Sequence, residues 1–122
     1  MNRAAAEQLR AEVAAAVGDL ATATLSPTEA ANRLGAGGAV VVIVPPRLEF
    51  PTMGHTTAEW ELIVASGPST DYLRAWDTLS AVVGALREPF GLETAEPNGF
   101  EAQGGRTYPA YVVRTTYTYD ND

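Results

Sequence analysis

The side chains of this sequence that could do acid–base, nucleophilic or metal chemistry are few and poorly grouped. There is one histidine, His55, and no cysteine. A serine–histidine–acid triad needs a hydroxyl nucleophile beside the imidazole. Ser26, Ser66, Ser69 and Ser80 each have a simpler role as helix cap, turn residue or helix surface. Structural and catalytic zinc sites draw mainly on several Cys and His ligands, and that set is missing. Glu59 and Glu61 stand two residues apart, so a strand would place both on one side. Paired carboxylates can serve acid–base or metal chemistry, but a solvated or inter-subunit sheet face accounts for the same pattern. "GAGG" at 35–38 has the glycine density of a phosphate loop, yet it precedes a strand instead of joining a strand to a helix. The tyrosines near the C-terminus could offer a base-stacking platform, but they lack basic companions and read better as core. Trp60 and Trp76 are also expected in the core. No catalytic, cofactor-binding or metal-binding residue is assigned, and the chain is read as a non-enzyme.

The elements that carry these residues follow from periodicity. Residues 2–23 place Leu9, Val13, Ala16 and Leu20 at three- and four-residue intervals, the stripe of an amphipathic helix. "SPTEAANRLG" has a capping serine, Ser26, with Pro27 at the first helical position and Glu29 completing a capping box. It predicts a short helix ending near Gly35. Val40–Val44 is apolar at every position, so this strand is expected to be covered on both faces, by its own helices and by a neighbouring subunit. Residues 56–65 alternate, with Ala58, Trp60, Leu62 and Val64 on one face. Ser69 or Thr70 can cap a second main helix over about 70–87, with Tyr72, Trp76, Leu79, Val83 and Leu86 on its stripe and Pro89 ending it. A strand over 92–96, a polar hairpin over 96–107 with turn signals Asn98-Gly99 and Gly104-Gly105, and an alternating strand over 108–119 complete the chain. The acidic "DND" is expected to fray. The order is helix, strand, strand, helix, strand, strand. The expected fold is α+β: a small, mostly antiparallel sheet of about four strands with two main helices on one face, in one domain spanning 1–122.

Composition narrows the partners. The net charge is −7, and all eight basic residues are scattered arginines, which argues against tight nucleic-acid binding. No apolar run approaches the roughly 20 residues of a membrane helix, and the charged N-terminus is unlike a signal peptide, so a soluble intracellular product is expected. The connection "PPRLEFPTMGHTTAEW" is the anomaly. Neighbouring strands need about two to five linking residues, yet this link spends about ten and includes Leu48, Phe50 and Met53. Exposed apolar residues rimmed by Arg47 and Glu49 suit a binding surface. Arg47, Leu48, Glu49, Phe50 and Met53 are therefore expected to contact a partner, with Phe100 and Arg106 at a second interface. The alternative for each is packing against its own domain.

The segments also resemble, in order, those of tail terminator proteins of long-tailed phages, especially phages of actinobacteria. "AVVVIVPPRLEF" is similar to that family's strand and double-proline segment. "AEWELIVASGP", "DYLRAWDTLSAVVGAL", "TAEP" and "YPAYVVRTTY" follow in the family's order, from about Val40 to Thr118. The chain departs from the pattern before the first strand, where "GAGG" replaces an Asn-Pro-Pro-like stretch. The resemblance implies a structural virion protein with two helices against a small sheet. It implies a six-membered ring on the head-proximal end of the tail tube, which stops tube growth and offers a docking surface for the head–tail connector. Its partners would be its own copies, the tube protein and the neck proteins, with no cofactor and no membrane. It would reside in the virion tail, and in host cytoplasm during assembly. A ring needs two different faces per subunit, and six copies would carry about −42, a lumen that lets DNA slide without gripping it. Another neck or head–tail completion protein is the nearest alternative. A small α+β ligand-binding domain is the more distant one, to be revived by a deep pocket lined by His55, Glu59 and Glu61.

Overall fold

The sheet is mixed and has six strands, in the order β1 (Thr22–Thr24), β2 (Ala39–Ile43), β4 (His55–Ser66), β6 (Thr107–Asp120) and β5 (Glu96–Glu101), with β3 (Arg47–Thr52) also paired to β4. The computed structural model describes residues 3–67, 71–102 and 105–120. Its elements are α1 (Arg3–Val17), a 3-10 turn (Gly18–Leu20), β1 (Thr22–Thr24), α2 (Pro27–Gly35), β2 (Ala39–Ile43), β3 (Arg47–Thr52), β4 (His55–Ser66), α3 (Tyr72–Phe90), β5 (Glu96–Glu101) and β6 (Thr107–Asp120). The α+β class is as the periodicity predicts. The strand count differs, six instead of about four, and the three helices are the two expected main ones and the short one expected to end near Gly35.

The first difference arises at Gly18. Its φ of 55° is left-handed, so α1 stops there and does not run to residue 23. The freed segment Thr22–Thr24 becomes β1, parallel to β2. A parallel pair needs a crossover, and α2 provides it. Ser26 caps α2 by accepting from Glu29 N–H at 3.2 Å. The reciprocal half of the capping box is replaced, because Ser26 N–H donates to Thr24 Oγ1 at 2.9 Å.

Helix α2 explains the uniformly apolar β2. Val41 and Ile43 join the main core with Leu9, Val13, Trp60, Leu62, Leu79 and Leu86 from α1, β4 and α3. Val40 and Val42 face the other way and pack with Ala30 and Leu34 of α2 in a second core. The cover expected from a neighbouring subunit thus comes from the chain itself. The glycines of "GAGG" serve this packing. Gly37 has φ +87°, and a Cβ on Gly67 would sit 2.5 Å from the Leu34 carbonyl oxygen and 3.2 Å from the Gly37 Cα. Backbone lies on backbone there, held by Gly67 N–H donating to Gly38 O at 2.9 Å.

Helix α3 starts at Asp71, whose Oδ1 accepts from Arg74 N–H at 3.1 Å. Ser69 and Thr70 lie outside the described residues. Its buried stripe is Ala75, Leu79, Val82, Leu86 and Phe90, rotated by one position at its first turns from the expected one. Small Ala75 faces the sheet, and Tyr72 and Trp76 fall at the margin of the stripe. Pro89 sits within the last turn, and the helix ends instead at Gly91, φ 60°, with Leu92 N–H donating to Arg87 O at 3.0 Å. Residues 92–95, expected as a strand, are the connection to β5. The expected polar hairpin, 96–107, contains β5, which pairs with the start of β6 from Glu96↔Val112 to Glu101↔Thr107. Gly104, Asn121 and Asp122 lie outside the described residues.

Candidate functional site

The long connection after β2 is a strand. After Val44-Pro45-Pro46 the chain rejoins the same edge of β4, with Arg47↔Glu59, Leu48↔Ala58 and Glu49↔Thr57 in register. The two prolines interrupt the ladder because proline has no N–H to donate, but they do not turn the chain away. A tight turn at Met53-Gly54 then joins Thr52 to its partner His55. The reading of Pro45–Thr57 as a long loop is corrected: the connection is a β-hairpin with a two-residue turn, and residues 55–57 already belong to β4.

This hairpin and the end of β6 form a three-stranded ledge, since His55↔Asp120 and Ala58↔Tyr117 continue the β4–β6 ladder to its end. On the helix side, Tyr117 and Tyr119 anchor the ledge. Trp60 Nε1–H donates to Tyr119 Oη at 3.2 Å, and Tyr117 Oη–H donates to Glu12 Oε2 of α1 at 3.3 Å. Burial, reinforced by the Glu12 carboxylate and its hydrogen bond and then by Tyr119, pushes the Tyr117 phenol up to about 12. The opposite face carries ion pairs. Arg47 Nη2 lies 2.9 Å from Glu49, and Arg114 bridges Glu61 at 3.6 Å and Glu96 at 3.5 Å. His55 Nδ1 meets Asp120 Oδ1 at 2.8 Å near the tip. Glu61 and His55 therefore have separate partners, and His55, Glu59 and Glu61 do not converge on a pocket.

The apolar side chains of the ledge remain open. Every residue of β3 is exposed, with Phe50 at 69% and Met53 in the turn at 100%. Fully burying a Phe or Met side chain yields roughly 1.5–3 kcal/mol, a gain that water withholds here. The register shifts between Glu49 and Thr52, so Phe50-Pro51 bulges at the outer edge. Bulge, proline and charge pair are the devices that stop a free edge from adding strands. What the ledge offers is side chains, not an open backbone ladder.

A second apolar surface went unnoticed in the sequence. Tyr72, Trp76 and Leu79 of α3 face Pro97, Pro109 and Tyr111 of the β5–β6 hairpin across an open groove of about 570 Å³. Tyr72 and Trp76 meet edge to face at 6.1 Å, and they remain 63% and 46% exposed. Trp76 is thus not in the core, unlike Trp60. The only sequence signal was that Tyr72 and Trp76 begin a stripe whose later members suffice to bury the helix. Of the weaker candidates, Phe100 is partly buried against the second core near Ala102 and Tyr108, as its own-domain alternative had it. Arg106 is exposed in the hairpin loop, where its carbonyl accepts from Ala102 N–H at 2.8 Å.

No family model matches this chain, and no curated protein matches it. No helix among the described residues is long and apolar enough to cross a membrane.

Proposed function

We propose that this chain is a structural virion protein. It forms a ring, six-membered by the resemblance, that caps the head-proximal end of a phage tail tube, ends tube growth and presents a surface to the head–tail connector. The observation that carries this reading is the protruding β3–β4 ledge, with Phe50 and Met53 held open to solvent on a strand guarded against edge pairing. Large exposed apolar residues on a rigid support favour a role in assembly. The ordered segments that resemble tail terminators supply the specific role. Arg47, Leu48, Glu49, Phe50 and Met53 form the contact to a neighbour or to the tube, with Arg106 on the far hairpin. Net charge supports passage of DNA without grip, since each copy brings −7 to the ring. A different neck or completion protein would use the same ledge and differ in its position in the assembly.

A second reading is favoured by the groove beside Trp76, whose volume falls in the usual range for small-ligand sites. It is open and lined mainly by proline and aromatic side chains, with no convergent charged group, which suits a side-chain-to-side-chain contact better. The deciding measurement is the mass of the purified protein over a range of concentrations, with and without tail tubes, together with electron microscopy. Rings of about six copies, free or seated on tube ends, are the expected outcome. A monomer that ignores tubes would remove the proposal and leave the groove as a ligand site.

A further inference from the structure

The ledge and the groove belong to one rigid sheet but cannot meet within one chain. The groove floor includes Pro109 and Tyr111 near the start of β6, while the tip residue His55 pairs with Asp120 at its end. At the rise of an extended strand those positions are about 35 Å apart. One is a hairpin that carries exposed apolar side chains, Leu48, Phe50 and Met53, and the other is an open groove lined mostly by apolar and aromatic residues. We infer that the β3–β4 hairpin of one copy docks in the α3/β5–β6 groove of the next, with Phe50 and Met53 seated against Tyr72 and Trp76. The inference rests on the ring-forming reading and names the surfaces that such a ring would join.

Area and chemistry both fit. An aromatic side chain offers about 150–250 Å², so Phe50, Tyr72 and Trp76 at their observed exposures leave about 400 Å² open between them. Leu48 and Met53 raise the open apolar total to about 600 Å². A standard interface buries about 1,200–2,000 Å², somewhat more than half of it apolar, so these side chains, with Pro97 and Pro109 lining the groove, come close to the apolar content of a small standard interface. Strand addition is a poor alternative for this contact. Pro51 and the bulge break the outer edge of β3, and Pro97 removes a donor from β5. Donor and acceptor surfaces differ, so copies docked head to tail close into a ring or extend as a filament, whereas a reciprocal exchange between two copies would stop at a pair.

The chain has no cysteine, so engineered pairs report cleanly. Gly54 lies in the hairpin turn with open space around a would-be Cβ, and Thr107 is exposed on the groove wall. A chain carrying Gly54→Cys is mixed under mild oxidation with one carrying Thr107→Cys. A control mixes Gly54→Cys with Ala11→Cys, at an exposed position on α1. Docking raises the local concentration of the first pair, so its cross-linking should exceed the control by at least about tenfold and should be lost when Phe50→Asp is added. In the unmodified protein, Trp76 emission should shift to the red on dilution, while buried Trp60 stays constant. Rings on tube ends without selective cross-linking would overturn the docking and leave the ring reading intact. Selective cross-linking in a species of two copies, without rings, would uphold the docking and remove the ring reading. Neither cross-links nor assembly would overturn both.

Discussion

The strands β4 and β6 run through two regions that are finished differently. In the half next to β2, the sheet is covered on both faces: α1 and α3 lie on one side and α2 on the other, and β4 is buried at three consecutive positions, Val64, Ala65 and Ser66. In the half next to β3, burial alternates, and the last residues of β6 are exposed or half-buried. Helix α2 ends at Gly35, and its two buried residues, Ala30 and Leu34, serve Val40 and Val42. The first half spends its apolar residues on stability. The second keeps Leu48, Phe50 and Met53 outside the fold, supported by Tyr117 and Tyr119 from below.

The contrast can be broken most strongly at α2. Leu34→Ala empties the contact that covers Val40 and Val42, and should cost about 2–5 kcal/mol, read as a lower denaturant midpoint with the hairpin's assembly behaviour unchanged in the remaining folded protein. Gly67→Ala drives a methyl group against the Leu34 carbonyl and should cost about 1–3 kcal/mol through overpacking, measured as a lower thermal midpoint. In the ledge, Tyr117 has a folded-state pKa of about 12 against an ordinary 10.0. Its contribution is complete below pH 10 and declines as pH rises through 10 toward 12, because the folded state holds the proton longer than the unfolded state. Tyr117→Phe should flatten the loss of stability over that window relative to the unsubstituted chain, and an unchanged slope in alkaline denaturation would show that folding does not hold the proton on this phenol, by burial or by Glu12. The smallest effect on stability is expected at the tip. Phe50→Asp should change unfolding free energy by no more than about 0.5 kcal/mol and abolish ring or tube contact, seen by mass and electron microscopy. Unfolding of that variant, or its normal assembly, would erase the distinction between the two halves.

Parts of both halves were legible in the residues. The stripe Leu9–Val13, the cap at Ser26, the doubly apolar β2, the alternation of β4 with Trp60 inward and the long β6 all rest on local periodicity, and the structure has them. The exposed apolar set Leu48, Phe50 and Met53 was also visible, because apolar residues beside Pro45, Pro46 and Pro51 have no local reason to be there. That they sit on a strand was not visible, since those prolines mimic a loop. Strand β1 was hidden by its length, three residues of Thr-Ala-Thr continuing a helical pattern. The groove was missed because Tyr72 and Trp76 fit the helical period as well as true core residues do.

Composition and periodicity by themselves determined the α+β class, the acidic surface, the main helices and which strand faces are apolar, because each depends on neighbours within a few residues along the chain. Only the tertiary structure decided that α2 crosses to the far face of the sheet, that the chain after Pro46 returns to the edge it had left, and that Trp76 faces solvent across from Pro109. Those outcomes depend on which distant surfaces bury each other best, on the close approach that Gly37 and Gly67 permit, and on the small Ala75 that turns α3 toward the sheet. None of these is a property of any single segment.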